Sequence, residues 1–251
     1  MNSLENLLDW CKNKNIIVAG GGPSLDVCEK ELEYFCGADS LFILADVVAE
    51  KFILKYPETN RLIFTVENRH HRYLSNVRGE RIAVYRGARE RNMNISVNEC
   101  FSFHFDFESN VKDSMMLKSP GTVMGAALYW ALYVAIRHKR RQTVYLLGMD
   151  LCYLENQIYN RYCKFNEKRD FFNNRETREW NAMLQRTSTG IMQNNSVIKT
   201  SFEFQRAREN METLIQNTPD IQIIDFSPVG ISGKFVKKSI PGKIKAEIIA
   251  T

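Results

Sequence analysis

Along the 251 residues, apolar and polar positions fall into two alternating periods. Short runs of aliphatic and β-branched residues at 16–20, 41–45, 62–66 and 82–85 read as strands. Most are separated by segments with helical spacing, such as 47–55 and 69–75, and residues 4–12 read as a short N-terminal helix. The stretch 123–136 is apolar on all sides, which predicts a buried helix, and 143–147 follows it as a strand. Residues 197–200 read as another short strand. The stretch 202–216 places Phe204, Ala207, Met211, Leu214 and Ile215 on one face of a helix, and 221–226 closes as a strand. Repeated strand-then-helix order predicts the α/β class: a three-layer α/β/α domain around a mostly parallel sheet.

A single domain over 1–251 accounts for this rhythm, and one segment interrupts it. Residues 156–195 are rich in Asn, Arg and Glu with few apolar anchors, which fits a lid-like insertion or a surface decoration. Residues 234–251 are read as a C-terminal tail. A hydrophobic share of 44% with 11% aromatics describes a folded globule. The net charge of +5 is too mild and dispersed to point to nucleic acid, and suits an anionic small molecule. The basic cluster 137–141 falls where cations suit a helix C-terminus. Six cysteines without a C-x-x-C pair, and no signal peptide, point to reduced thiols and a cytoplasmic protein. No apolar run is long enough for a membrane span.

Candidate chemistry gathers at strand ends, where open α/β sheets bind ligands. The turn Gly20-Gly21-Gly22-Pro23-Ser24 lets backbone approach a ligand and leads into a helix whose N–H groups attract an anion; a plain turn is the alternative. It is neither a P-loop nor a complete G-x-G-x-x-G. Ser119, Gly121 and Thr122 precede the buried helix and make a second anion site or merely its cap. Gly148 and Asp150 end the strand 143–147, where Asp150 can orient a ribose hydroxyl or cap a turn. Tyr153 and Tyr159 offer neutral hydrogen-bond donors to a departing phosphate. Asp46, Glu67 and Asn68 follow two further strands. The adjacent His70 and His71 diverge too strongly to share a metal, and the sequence Asp106-Phe107-Glu108 lacks the second Asp of a D-x-D metal motif.

The stretches "VAGGGPSLD", "SPGTVMGAALYWAL", "VYLLGMDLCY" and "FSPVGISG", in this order, resemble two related groups. These are the motility-associated factor (Maf) flagellin glycosyltransferases and the bacterial lipooligosaccharide sialyltransferases. The resemblance implies a Rossmann-like fold and, in place of a cofactor, a CMP-sugar as donor substrate, with no metal. By position, Gly20, Gly21, Gly22, Pro23 and Ser24 would line the nucleotide phosphate and ribose, with Asp46 and Asn68 near the donor. Ser119, Gly121 and Thr122 would face the sugar carboxylate or base. Gly148 and Asp150 would hold the nucleotide, and Tyr153 and Tyr159 would meet the leaving phosphate.

One departure from the sialyltransferase pattern is plain. Their catalytic histidine lies late in the chain, whereas His70, His71, His104 and His138 all precede Asp150, so either another group such as Glu67 or Asp150 serves as base or catalysis rests on leaving-group stabilisation. The expected activity is a metal-independent glycosyltransferase that moves a sialic-acid-like (nonulosonic) sugar from a CMP-sugar donor to a hydroxyl on a protein or glycan acceptor, with flagellin Ser/Thr as the acceptor the resemblance suggests. A homo-oligomer is compatible with this. Two alternatives stay open: a Mg²⁺-dependent pyrophosphokinase acting on a pterin-like substrate, with Asp46, Glu67 and Asp150 as ligands, and a non-catalytic nucleotide-binding module.

Overall fold

The computed structural model describes residues 2–36, 39–66, 73–85, 98–105, 115–117, 121–138, 143–153, 163, 188–193, 196–239 and 241. Its centre is built by β2 (Asn15–Ala19), β3 (Ser40–Ala45), β4 (Asn60–Thr65) and β8 (Thr143–Leu147). Apart from a few residues at their N-terminal ends these strands are buried along their length, as expected for a parallel sheet covered on both faces. Outward from β4 lie β5 (Arg81–Tyr85) and β6 (Glu99–Phe105), and β6 pairs with both β1 (Asn2–Ser3) and β7 (Met115–Leu117). Beyond β8 come β11 (Gln222–Asp225) and β12 (Val236–Lys238). The strand order is β1-β6-β5-β4-β3-β2-β8-β11-β12, and every pairing in this sheet among the described residues is parallel. The α/β, Rossmann-like architecture read from the sequence is therefore present.

The helices follow from the same patterning. α1 (Leu8–Cys11), α2 (Glu29–Cys36), α3 (Asp46–Lys55), α4 (Val123–Arg137) and α5 (Phe202–Gln216) flank the sheet. Phe52 of α3 packs on Phe42 of β3 with ring centroids 5.0 Å apart, and Phe35 of α2 packs on Tyr145 of β8 at 4.6 Å. α4 carries Gly125, Ala126, Ala127 and Ala131 at buried positions, so its backbone lies close over β2, β3, β4 and β8. Its tail, Arg137, ends the helix as the basic cluster predicts, while 139–141 lie outside the described residues. On α5, Ala207, Met211, Leu214 and Ile215 form the buried stripe.

Several boundaries differ from the sequence pattern. The expected helix over 4–12 is a 3-10 turn, Leu4–Leu7, running into the one-turn α1, because Ser3 caps the 3-10 segment through the Glu5 amide. Residues 73–75, the described end of an expected helix over 69–75, form turn and bend. The strand expected over 197–200 is β10 (Ser196–Ser201), paired antiparallel with β9 (Ser188–Gln193). Of the lid-like insertion, Cys163 and 188–193 are described and the remainder lies outside the described residues. Within the expected tail, Val236–Lys238 pairs with β11. Among the described residues no helix is long and apolar enough to cross a membrane.

Candidate functional site

The chain runs outward from β2 through β3 to β7, then returns under α4 to place β8 on the other side of β2. Strand order reverses between β2 and β8, and the loops leaving these two strands open the crevice where α/β sheets bind ligands. A cavity of about 250 Å³ sits there. Its wall is mostly apolar, from Val47, Val66, Val123, Met124, Leu151 and Phe204, and its acidic member is Asp46.

Two turns form one edge of the cavity, and they interlock. Gly20 N–H donates to Leu147 O and Gly22 N–H to Gly148 O, both at 2.8 Å. A Cβ on Gly20 would stand 2.5 Å from Gly148 O; one on Gly22 would stand 2.3 Å from Asp150 Oδ2. Gly148 has φ +63, a conformation that favours glycine. The close backbone approach that three glycines permit is thus made to another part of the protein at Gly20 and Gly22. Gly21, whose amide has no partner among the described residues, and Gly22 line the cavity.

Asp150 is fully buried, and its Oδ2 accepts the Ser24 amide at 2.8 Å. Pro23–Val27 is a 3-10 helix whose positive end therefore already holds a carboxylate. Neither Ser24 nor Asp150 lines the cavity; they face each other behind the glycine turn. Burial pushes the Asp150 carboxyl up to about 6 against the opposing pull of the Ser24 amide and the Ser24 and Ser227 hydroxyls, and its buried Oδ1 meets no hydrogen-bond geometry among the described residues.

The opposite wall is the N-terminus of α4. Thr122 caps it, its hydroxyl accepting the Gly125 amide at 3.1 Å, so the bland expectation for this residue holds. Thr122, Val123 and Met124 nevertheless line the cavity, and the Val123 and Met124 amides have no partner among the described residues. Gly121, at φ +90, makes the turn into the cap. Asp46 opens α3: Oδ1 accepts the Val47 amide at 2.8 Å and Oδ2 the Thr65 hydroxyl at 2.7 Å.

Tyr153 sits at the margin. Its ring packs against Phe204 at 6.0 Å and its amide donates to Lys199 O of β10. Leu151, two residues before Tyr153, has φ +50, and its carbonyl accepts the Thr200 hydroxyl at 2.8 Å. Glu67, Asn68, Ser119 and Tyr159, with His70, His71 and 106–108, lie outside the described residues. The structure thus brings Gly21, Gly22, Asp46, Thr122 and Gly148 to one cavity, with Gly20, Pro23, Ser24, Gly121, Asp150 and Tyr153 behind or beside it.

Sequence reasoning missed Phe204, assigned only to a core stripe, and Cys152, which lines the cavity with a thiol that burial pushes up to about 12. It also missed Ser227 and the ion pair Asp225–Lys238 (2.6 Å), which back the glycine turn. Burial raises the Asp225 carboxyl to about 6 despite that lysine. The quoted "FSPVGISG" was the available signal: Gly230, at φ +101, would put a Cβ 2.5 Å from Met149 O, so this segment packs directly on the Met149–Asp150 turn. No protein-family model matches the chain, and neither curated proteins nor solved structures give a match.

Proposed function

We propose that the chain is a glycosyltransferase that takes a CMP-linked, sialic-acid-like sugar as donor and a hydroxyl as acceptor. The observation that carries this reading is the switch-point cavity walled by Asp46, the glycine turn and the open end of α4. Asp46, on the cavity wall, would face the ribose, and the nucleotide phosphate would take the Val123, Met124 and Gly21 amides. The apolar wall would cover the base. This arrangement moves the anion from the Pro23–Val27 helix, where Asp150 stands, to α4.

In the transfer step the acceptor oxygen bonds to the anomeric carbon as the carbon–oxygen bond to phosphate breaks, and CMP leaves with the electron pair. Tyr153 beside Phe204 is the described candidate for donating to the leaving phosphate. The hydroxyl proton passes to a base, for which this reading retains Glu67, two residues beyond β4 in sequence. Asp150 is assigned a positioning role. The alternatives with Mg²⁺ and ATP gain nothing from the site, since both described carboxylates of that set are engaged by protein donors.

The test is calorimetric titration with CMP, CDP, UDP, GDP and ATP, each with and without Mg²⁺. Selective, metal-independent binding of cytidine nucleotides is expected; Mg²⁺-dependent binding of ATP with no response to CMP would overturn the reading.

A further inference from the structure

Behind the glycine turn lies a buried polar cluster that the proposed chemistry does not use. Ser227 is fully buried between the two interlocked turns. Its Oγ accepts the Ser24 hydroxyl at 3.1 Å and the Met149 amide at 3.1 Å, so one oxygen ties the turn after β2 to the turn after β8. Ser227 is itself fixed from the C-terminal side: its amide donates to Asp225 Oδ1 at 2.9 Å. Asp225 Oδ2 accepts Lys238 Nζ at 2.6 Å, and the same ammonium donates to the carbonyls of Ser227 (3.2 Å) and Val229 (2.9 Å). All three ammonium donors therefore converge on the 225–229 segment.

A lysine holding two carbonyls and a fully buried carboxylate on one edge strand is more than a surface pair. Surface pairs contribute little, whereas removing one partner of a buried pair leaves an uncompensated charge. The Asp225 side chain is 0% exposed and that of Lys238 31%, so the pair belongs to the buried kind at its acidic end. The chain of bonds runs from β12 through Asp225 and Ser227 to Ser24 and Met149, and the latter turn carries the cavity-lining Gly148, Met149 and Leu151.

We propose that Lys238, Asp225 and Ser227 are positioning residues for the ligand site: they lock the two cavity-lining turns, 20–24 and 148–152, in register, so that C-terminal strand β12 is an integral part of the site. This rests on the reading that the crevice is the ligand site. Neither Ser227 nor Lys238 touches the ligand in this account; both act through Ser24 and Met149.

The test is amide hydrogen exchange on the intact chain for Lys238→Met, Ser227→Ala and the double variant Lys238→Met/Asp225→Asn. For the two single variants, exchange is expected to quicken at least tenfold in segments 20–25 and 147–152, with 41–45 and 61–65 unchanged. The double variant removes the stranded charge but not the loss of the Lys238 bonds, so both turns should still exchange faster than in the wild type, though less so than in Lys238→Met. Ser227→Ala leaves the ion pair intact, so its effect on both turns separates positioning from simple loss of the pair. Faster exchange confined to 225–238, or spread evenly over all strands, would overturn the proposal. Where the wild type binds CMP, Ser227→Ala is expected to raise Kd about tenfold. A wild type that binds no nucleotide would sink the functional reading, while the exchange pattern would still decide the positioning set.

Discussion

Two helix N-termini lie beside the same crevice, and they differ in what already occupies them. The 3-10 helix Pro23–Val27 follows a Gly-Gly-Gly-Pro turn, the sequence signature of an anion-binding end, yet its Ser24 amide is held by a carboxylate 126 positions away. The helix α4 follows an ordinary Thr cap, and the amides of its first two, cavity-lining residues have no partner among the described residues. Glycine marks where backbone comes close, but local sequence does not say whether the neighbour is a ligand or the protein itself. In this fold the glycines at 20 and 22 serve the protein, and the open helix end serves the cavity.

The sharpest way to break this contrast is to add one carbon at Gly22. Gly22→Ala places a Cβ against Asp150 Oδ2 and Gly148 O, so the interlock must open. A loss of about 3 kcal/mol is expected, with Tm falling by roughly 6–12 °C in a thermal melt. Gly79→Ala, which meets nothing within 4 Å but has φ +72, should cost only about 1 kcal/mol.

A comparable effect is expected from charge at the closed end. Asp150 and Asp225 titrate near 6 in the folded chain, against roughly 4 when unfolded. Folding thus binds protons between these values: the two groups favour the folded state most below about pH 4, and that contribution is lost as pH rises to about 6. At about 1.4 kcal/mol per pH unit, each carboxylate accounts for a change on the order of 2–3 kcal/mol. Asp150→Asn should remove its share, so urea unfolding from pH 4 to pH 7 would show a shallower fall for the variant. An identical slope in both proteins would contradict the burial of that charge.

Smaller effects are expected at the open end. Asp46→Ala should weaken cytidine nucleotide binding about tenfold in titration and cost some stability through the lost Thr65 and Val47 bonds. Thr122→Ala should cost about 1 kcal/mol in chemical denaturation, as loss of a helix cap does.

Much of the frame is legible in the sequence because it rests on local patterning. The strands β2, β3, β4 and β8 are short apolar runs, α4 is a long one and α5 a long periodic one, and none needs a distant partner to be seen. The helix read after the glycine turn is split into the 3-10 helix Pro23–Val27 and α2, Glu29–Cys36, whose buried apolar residues are Leu32 and Phe35. Strand β6 was missed although Phe101, Phe103 and Phe105 alternate with Ser102 and His104 at a strand's period; in the fold both of its faces are buried. Strand β12, with two lysines in three residues, carries no strand signal; it pairs with β11 where Lys238 reaches Asp225. The candidate site was located by strand ends, which is a matter of topology. The division between residues that face the cavity and residues that brace it was hidden, because Asp150, Ser24 and Ser227 meet only through tertiary contacts.

The most direct measurement is a calorimetric titration of CMP into the wild-type chain and into Val47→Trp. Val47 lines the cavity from the half-buried first turn of α3, so an indole there fills the space without entering the core. The account predicts metal-independent CMP binding by the wild type, weakened at least tenfold in Val47→Trp while Tm stays within a few degrees. Equal affinity in the two proteins, or no binding of CMP by the wild type, would contradict it.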